Sequence, residues 1–149
     1  DFTLYIVLVM QFINTIELFK KTFGNSNITF IDKINKSQVQ DMLKLFNICF
    51  IGRNDTPLFD YGVSSNKYFD YMLASKPIIE SSNLIKSPVE LSECGVIVAP
   101  ESGASIVEGI LTLKNLPVKN LEIIGEKGRI YVRKYHNFDS LSAKYLKLF

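Results

Sequence analysis

One histidine, two cysteines and no block of like charge leave this chain few of the usual catalytic or metal-binding arrangements. His136 is the sole imidazole, so any nucleophilic triad would have to use it. Its place at the end of a charged helix reads instead as a solvated helix-terminal residue. Cys49 and Cys94 stand in or beside apolar strand-like runs, with no C-x-x-C pair and no Cys/His cluster. That pattern points to two reduced, buried thiols in a cytosolic protein. A net charge of +2, with 17 basic residues spread along the chain, argues against a nucleic-acid surface. The apolar start Phe2 to Val9 is shorter than the ~20 residues that cross a bilayer. It also has no basic n-region and no small-residue cleavage site. The chain begins with Asp1 on a strand-like run, as expected for a piece of a longer protein. No acid pair stands at the ends of the first two strands, so no metal site is expected, and no repeat or low-complexity segment is visible.

What is present is a chain of 149 residues, 47% hydrophobic, long enough for one domain with a continuous core. Apolar runs alternate with amphipathic stretches. Thr3–Val9 reads as a strand, followed by a helix with Phe12, Ile16, Phe19 and Phe23 on one stripe that closes at Gly24-Asn25-Ser26. Ile28–Ile31 is a second strand. Asn35 to Gln38 has capping-box spacing, with Val39, Met42, Leu43 and Phe46 behind it. Ile48–Ile51 is a third strand and Pro77–Glu80 a fourth. Ser87-Pro88-Val89-Glu90 opens a short helix with an N-cap and a proline at the first position. Gly95–Val98 is the fifth strand. Ser102 caps a helix carrying Ile106, Ile110 and Leu113. A longer helix after Pro117 carries Leu121, Ile124, Gly128, Tyr131 and Tyr135, and a last one, over 138–149 at the domain edge, carries Leu141, Tyr145 and Leu148. Unbroken apolar strands alternating with helices predict an α/β, Rossmann-like parallel sheet with helices on both faces. Ligands of such folds bind outside the carboxyl ends of the strands. This selects the loops Leu8–Phe12, Ile31–Asn35, Gly52–Ser65 and Ala99–Ser102.

The most informative stretch runs from Tyr61 to Ile79. Gly62-Val63-Ser64-Ser65 leads into an amphipathic helix that stops at Ser75-Lys76-Pro77. A helix that opens on small polar residues presents unpaired N–H groups and the positive end of its dipole, a setting for phosphate. Asp70 lies further in, able to accept hydrogen bonds from a sugar or ribose diol. Taken alone, Asp70 reads as a solvated surface acid and Lys67 as a lysine pointing to water. Asn66 reads as a residue that stabilises the helix start. Phe69, Met72 and Leu73 read as core, Glu101 as a capping acid, and Asp55 and Asp60 as loop-solvating acids.

The same stretch resembles the Y-G-x-S-P-N-K-x-F-D-Y-M-A-A-G-K-P-I-I signature of retaining GT-B-fold glycosyltransferases of the large family four, many of which act in bacterial polysaccharide assembly. Three flanking segments agree in order and spacing. Asn27-Ile28-Thr29-Phe30 with Ile34 and Val39 is similar to the family's N-V-x-F-x-G-x-V-x-x-x-x-V. Cys94 to Glu101 is similar to its C-G-x-x-V-P-P-E, and Gly125 to Val132 to its G-x-x-G-R-x-Y-V. The resemblance implies the carboxy-terminal, nucleotide-sugar-binding half of a two-domain enzyme.

By that resemblance Asp70 takes the place of the second acid of the E-x7-E motif and would hold the ribose hydroxyls. The first acid falls on Gly62. Backbone N–H groups of Val63, Ser64, Ser65 and Asn66 would meet the diphosphate, with Lys67 as a charge partner. Lys33 and Ile34 occupy the loop that packs on the nucleobase. The implied donor is a nucleotide diphosphate sugar, used without metal or other cofactor. The implied acceptor is a glycan or lipid-linked sugar approached through an amino-terminal domain. That places the enzyme in the cytoplasm, with peripheral association at the inner face of the plasma membrane. Three departures stand out. Leu8-Val9-Met10-Gln11 replaces the family's G-x-G-P, and its phosphate-binding Arg and Lys lie upstream of residue 1. Ser75 replaces the Gly of A-G-K-P, where a side chain at a left-handed or crowded position costs about 1 kcal/mol. These departures keep a second expectation open, a degenerate relic serving as a binding or scaffold module. A phospho-acceptor receiver domain is excluded, because Met10-Gln11 and Pro100-Glu101 stand where its acids and Lys-Pro would be.

Overall fold

The computed structural model describes residues 4–7, 28–31, 34–54, 56–57 and 65–148. The chain forms two compact units, Asp1–Val39 and Gln40–Phe149. In the first, β1 (Leu4–Val7) and β2 (Ile28–Ile31) pair in parallel, Leu4 opposite Ile28. The helix expected between them lies outside the described residues. A single 3-10 turn, Lys36–Gln38, follows, and Gln38 Oε1 accepts from the Asn35 N–H at 3.3 Å, one half of the expected capping box. Helix α1 (Val39–Lys44) continues from that turn and buries Leu43.

The second unit is a three-stranded parallel sheet with β4 (Ile78–Ser81) between β3 (Cys49–Gly52) and β5 (Gly95–Val98). The register sets Cys49 opposite Ile78, and Ile78 opposite Gly95. Crossovers pass through α2 (Asn66–Leu73) and α3 (Pro88–Ser92). The chain ends in α4 (Gly103–Lys114), α5 (Val118–Tyr135) and α6 (Phe138–Leu146). This is the expected α/β, Rossmann-like arrangement.

All four residues of β4 are buried, so helices cover both faces of the sheet. Ile78 shares one face with Ile51, and against it pack Tyr68 and Met72 of α2, Val89 of α3 and Val132 of α5. On the other face α4 lies against β4 and β5, where Gly109 stands beside Val98, Ile79 and Val96. The helix starts follow their sequence cues. Ser87 and Ser102 accept from the N–H groups of Glu90 and Ser105, and Pro88 opens α3.

Three expectations are corrected. Leu73 is not core: it is exposed, and the buried α2 residues are Tyr68 and Met72. Tyr68 lies four residues before Met72 on the inward stripe, whereas Leu73 falls beside it. In α6 no residue is buried, and Leu141, Tyr145 and Leu148 are all exposed. His136 sits at the carboxyl end of α5 as read, but its ring is half-buried. It packs on Phe69 at 4.8 Å and Tyr131 at 5.4 Å. Burial, and then the charge of Lys144, hold its pKa below the ordinary value.

Candidate functional site

The carboxyl ends of β3 and β4 hold a charged and hydroxylated cluster inside an otherwise apolar unit. Glu80, third residue of β4, is completely buried. An acid there needs donors for both oxygens, because an unsatisfied buried carboxylate costs several kcal/mol, on the order of 3 or more. Three hydroxyls supply them. Tyr68 and Ser82 donate to Oε1, the latter at 2.8 Å, and Ser87 donates to Oε2 at 2.7 Å. Ser87 Oγ also caps α3, so one side chain fixes both the carboxylate and the start of a helix.

Arg53 extends the cluster. It directly follows β3, its backbone N–H donates to Ser81 O at 3.0 Å, and its Nε–H donates to the Tyr68 hydroxyl at 3.3 Å. The guanidinium carbon lies 5.2 Å from the centre of the Tyr68 ring. Burial and the hydrogen bond to Glu80 raise the Tyr68 pKa, so the phenol stays protonated and keeps donating. Half-buried Tyr71 is likewise pushed up to about 12, with desolvation as the main cause.

Of the residues named from the sequence, Gly62, Val63, Ser64 and Lys33 lie outside the described residues, as do Asp55 and Asp60. Ile34 belongs to the first unit and is half-buried. Ser65 is the extended N-cap of α2, and no side chain caps that helix start. Asn66 and Lys67 are exposed in its first turn. Asp70 is half-buried one turn further on, and its backbone carbonyl accepts from Gln40 Nε2 at 3.1 Å. At the amino end of α2 the Ser65 side chain makes no capping hydrogen bond, and the Tyr68 N–H donates to the Ser65 carbonyl at 3.1 Å. Glu101 is exposed with φ 56, while the capping of α4 falls to Ser102.

At the amino edge of β4, Ser75 adopts φ 54, the left-handed region where glycine is favoured. Its hydroxyl donates to Glu126 at 3.2 Å, and Glu126 also accepts from Arg129 at 2.8 Å. α5 comes so close that a Cβ on Gly125 would lie 1.9 Å from the Ser75 carbonyl oxygen. One turn on, a Cβ on Gly128 would lie 3.0 Å from Cys94 Cβ and 3.1 Å from Met72. Both cysteines are free and buried, and burial pushes Cys49 up to about 12 and Cys94 up to about 11, as suits inert thiols.

The sequence reading does not single out Arg53, Tyr68, Glu80 and Ser82, and it gives Ser87 only as a helix cap. A signal was available: Glu80 interrupts an apolar run that must lie centrally in a parallel sheet, and two serines follow it directly. Among the described residues no group of His, Cys, Asp and Glu could hold a metal ion. No helix among them is long and apolar enough to cross a membrane. No protein-family model, curated protein or solved structure matches the chain.

Proposed function

We propose that the chain is the donor-binding half of a retaining, metal-independent glycosyltransferase. It would hold a nucleotide diphosphate sugar while the sugar passes to a glycan or lipid-linked acceptor, as in bacterial polysaccharide assembly. One observation supports the proposal: three of the four sequence segments behind the family resemblance share one packing seam. Gly125 meets the Ser75 turn, and Gly128 meets Met72 and Cys94.

The chemistry asked of the unit is binding and charge stabilisation. The amino end of α2, where Ser65 makes no side-chain cap, would present N–H donors and a positive dipole end to the diphosphate, and Lys67 stands in its first turn. Asp70 offers a carboxylate to the ribose diol. As the glycosidic bond to the diphosphate breaks, negative charge grows on the leaving oxygen, and prealigned donors stabilise it without reorganising. The sugar-to-acceptor step needs the acceptor-binding half, which comes from the full enzyme.

Calorimetric titration of the full chain with UDP, GDP, ADP and dTDP tests the proposal. Saturable binding of one of them, weakened at least about ten-fold by Asp70→Ala, is expected, since a hydrogen bond to a charged group is worth roughly 1.5–3 kcal/mol. No saturable binding by the folded chain would contradict it and favour the degenerate relic.

A further inference from the structure

We propose that the outer face of α6, with the basic end of α5 beside it, docks on an anionic lipid surface, an inference that does not rest on the donor site. A surface helix ordinarily turns its apolar stripe to the core and its polar stripe to water. α6 does the reverse. Phe138, Leu141, Tyr145 and Leu148 recur at spacings of 3, 4 and 3 and so form one stripe. Yet Phe138 is 91% exposed and Leu148 79%, and Leu146 at the edge of the stripe is 72% exposed. The side that meets α5 is the polar one. Ser140 Oγ donates to the Lys134 carbonyl at 2.9 Å, and Lys144, four residues on, holds its ammonium 6.0 Å from the centre of the Tyr135 ring. Ser140 is half-buried, while every other residue of 138–148 is exposed. Asn137 fixes this orientation. Its side-chain oxygen accepts from the Ser140 N–H at 2.7 Å and its amide donates to the Arg133 carbonyl, so one residue caps the end of α5 and the start of α6.

Charge decides what the stripe meets. Residues 118–149 carry seven basic and three acidic side chains, against ten basic and twelve acidic in the rest of the chain. Four of the seven, Arg133, Lys134, Lys144 and Lys147, lie in the last turn of α5 or at the end of α6, and Asp139 is the only acid from 133 to 149. Among the described residues no carboxylate lies within ion-pair reach of these four. Lys134 and Lys144 instead share the Tyr135 ring, at 5.0 and 6.0 Å from its centre. Cations at helix ends also suit the dipole, but an outward apolar stripe between them does not follow from that. A stripe rimmed by unneutralised cations fits a surface that offers both acyl chains and negative head groups. The lysine stems run along the apolar boundary while the ammonium groups reach the phosphates. A lone helix presents a convex row, which a fluid lipid interface accepts without a shaped groove. A second copy fits worse, since two-fold pairing would set these cations against their own images.

The experiment measures co-sedimentation of the full chain with vesicles, together with thermal melting and sedimentation velocity without lipid. One vesicle is phosphatidylcholine alone, and the other is two parts phosphatidylcholine to one part phosphatidylglycerol. Wild type is compared with the double variants Lys144→Gln with Lys147→Gln, and Phe138→Ser with Leu148→Ser. Because α6 buries no residue, both variants should melt close to wild type. Wild type is expected to bind the phosphatidylglycerol vesicles at least about ten-fold more tightly than the neutral ones, and to lose most of that preference between about 0.1 M and about 0.5 M salt. The lysine variant should weaken binding to the anionic vesicles at least about ten-fold. The Phe138→Ser with Leu148→Ser variant should do so by a similar factor, through lost apolar burial. Wild type that binds neither vesicle, or both equally, overturns the proposal. So does binding to the anionic vesicles that either folded variant leaves unchanged. A lipid-free dimer that Phe138→Ser with Leu148→Ser separates would assign the stripe to a second copy and overturn the lipid surface as its partner.

Discussion

The two faces of β4 solve burial in different ways. Ile79 and Ser81 look toward α4, where contacts with Val96 and Val98 across Gly109 are apolar and Ser81 reaches only the Ala99 carbonyl, at 3.4 Å. Ile78 and Glu80 look toward α2, α3 and α5, and here a buried carboxylate takes three hydroxyl donors, one from α2 and two from the segment between β4 and α3. The first face requires only shape and hydrophobicity, and such a core tolerates change while volume is kept. The second requires named atoms at named positions. A fold that only had to be stable would gain by putting an apolar residue at position 80, because buried charge is a poor source of stability. The difference points to use of that face, and its polar end lies where ligands of this architecture bind.

Substitutions matched across the two faces sharpen the contrast. The largest effect is expected at Gly125. Gly125→Val would drive a side chain into the Ser75 backbone and should cost more than about 3 kcal/mol in urea unfolding. Gly109→Ala on the α4 face meets side chains alone, Val98 at 2.8 Å with Ile79 and Val96 at 3.4 and 3.5 Å, and gains helix propensity, so it should cost less than about 2 kcal/mol. Equal costs would erase the distinction between the faces. Next, Glu80→Ala leaves Tyr68, Ser82 and Ser87 without their common acceptor and should lose about 2–3 kcal/mol. Ser81→Ala on the opposite face should lose less than about 1 kcal/mol. A neutral Glu80→Ala in the same assay would show that the cluster is not the clamp described.

Smaller effects follow from strain and from titration. Ser75→Gly relieves the left-handed backbone and should gain up to about 1 kcal/mol, partly offset by loss of the Ser75 bond to Glu126. A loss in denaturation midpoint would mean that the hydroxyl outweighs the strain. At alkaline pH the Glu80 face should weaken first. Cys49, Tyr68 and Tyr71 have raised pKa values, so the unfolded chain gives up these protons before the folded one does. Their contribution is whole below the unfolded values, roughly 8.5 for a thiol and 10 for a phenol, and is lost as pH rises above them. Urea unfolding at pH 7, 9 and 10.5 should show a falling midpoint, and a flat profile would contradict the burial of these groups. His136 acts in the opposite sense and more weakly. Its lowered pKa means that the unfolded chain takes up the proton first, so stability should drop as pH falls below about 6.5, and His136→Phe should remove that slope.

Much of the architecture was legible because period and punctuation agree in this chain. Continuous apolar runs became the five strands, and Ser87-Pro88 and Ser102 became helix starts because capping chemistry is local. The strain at Ser75 is what the resemblance implies by setting a glycine at that position, and the backbone there has φ 54. What escaped depends on contacts between distant residues. Tyr68 looked like one more aromatic on a helix, and only its partner twelve residues on gives it a role. Arg53 looked like a loop residue, because the tie through Tyr68 exists only once β3 and α2 are side by side. Leu73 was misassigned because a two-turn helix leaves its stripe ambiguous by one position, and the exposed apolar residues of α6 carry a helical period without burial.

The most direct measurement is a structure of the full chain with the tightest-binding nucleoside diphosphate diffused in. The account predicts diphosphate density at the amino end of α2, beside Lys67, with the ribose hydroxyls at Asp70. Saturating nucleotide found at any other place on the chain, with the carboxyl edge of β3 and β4 empty, would contradict it.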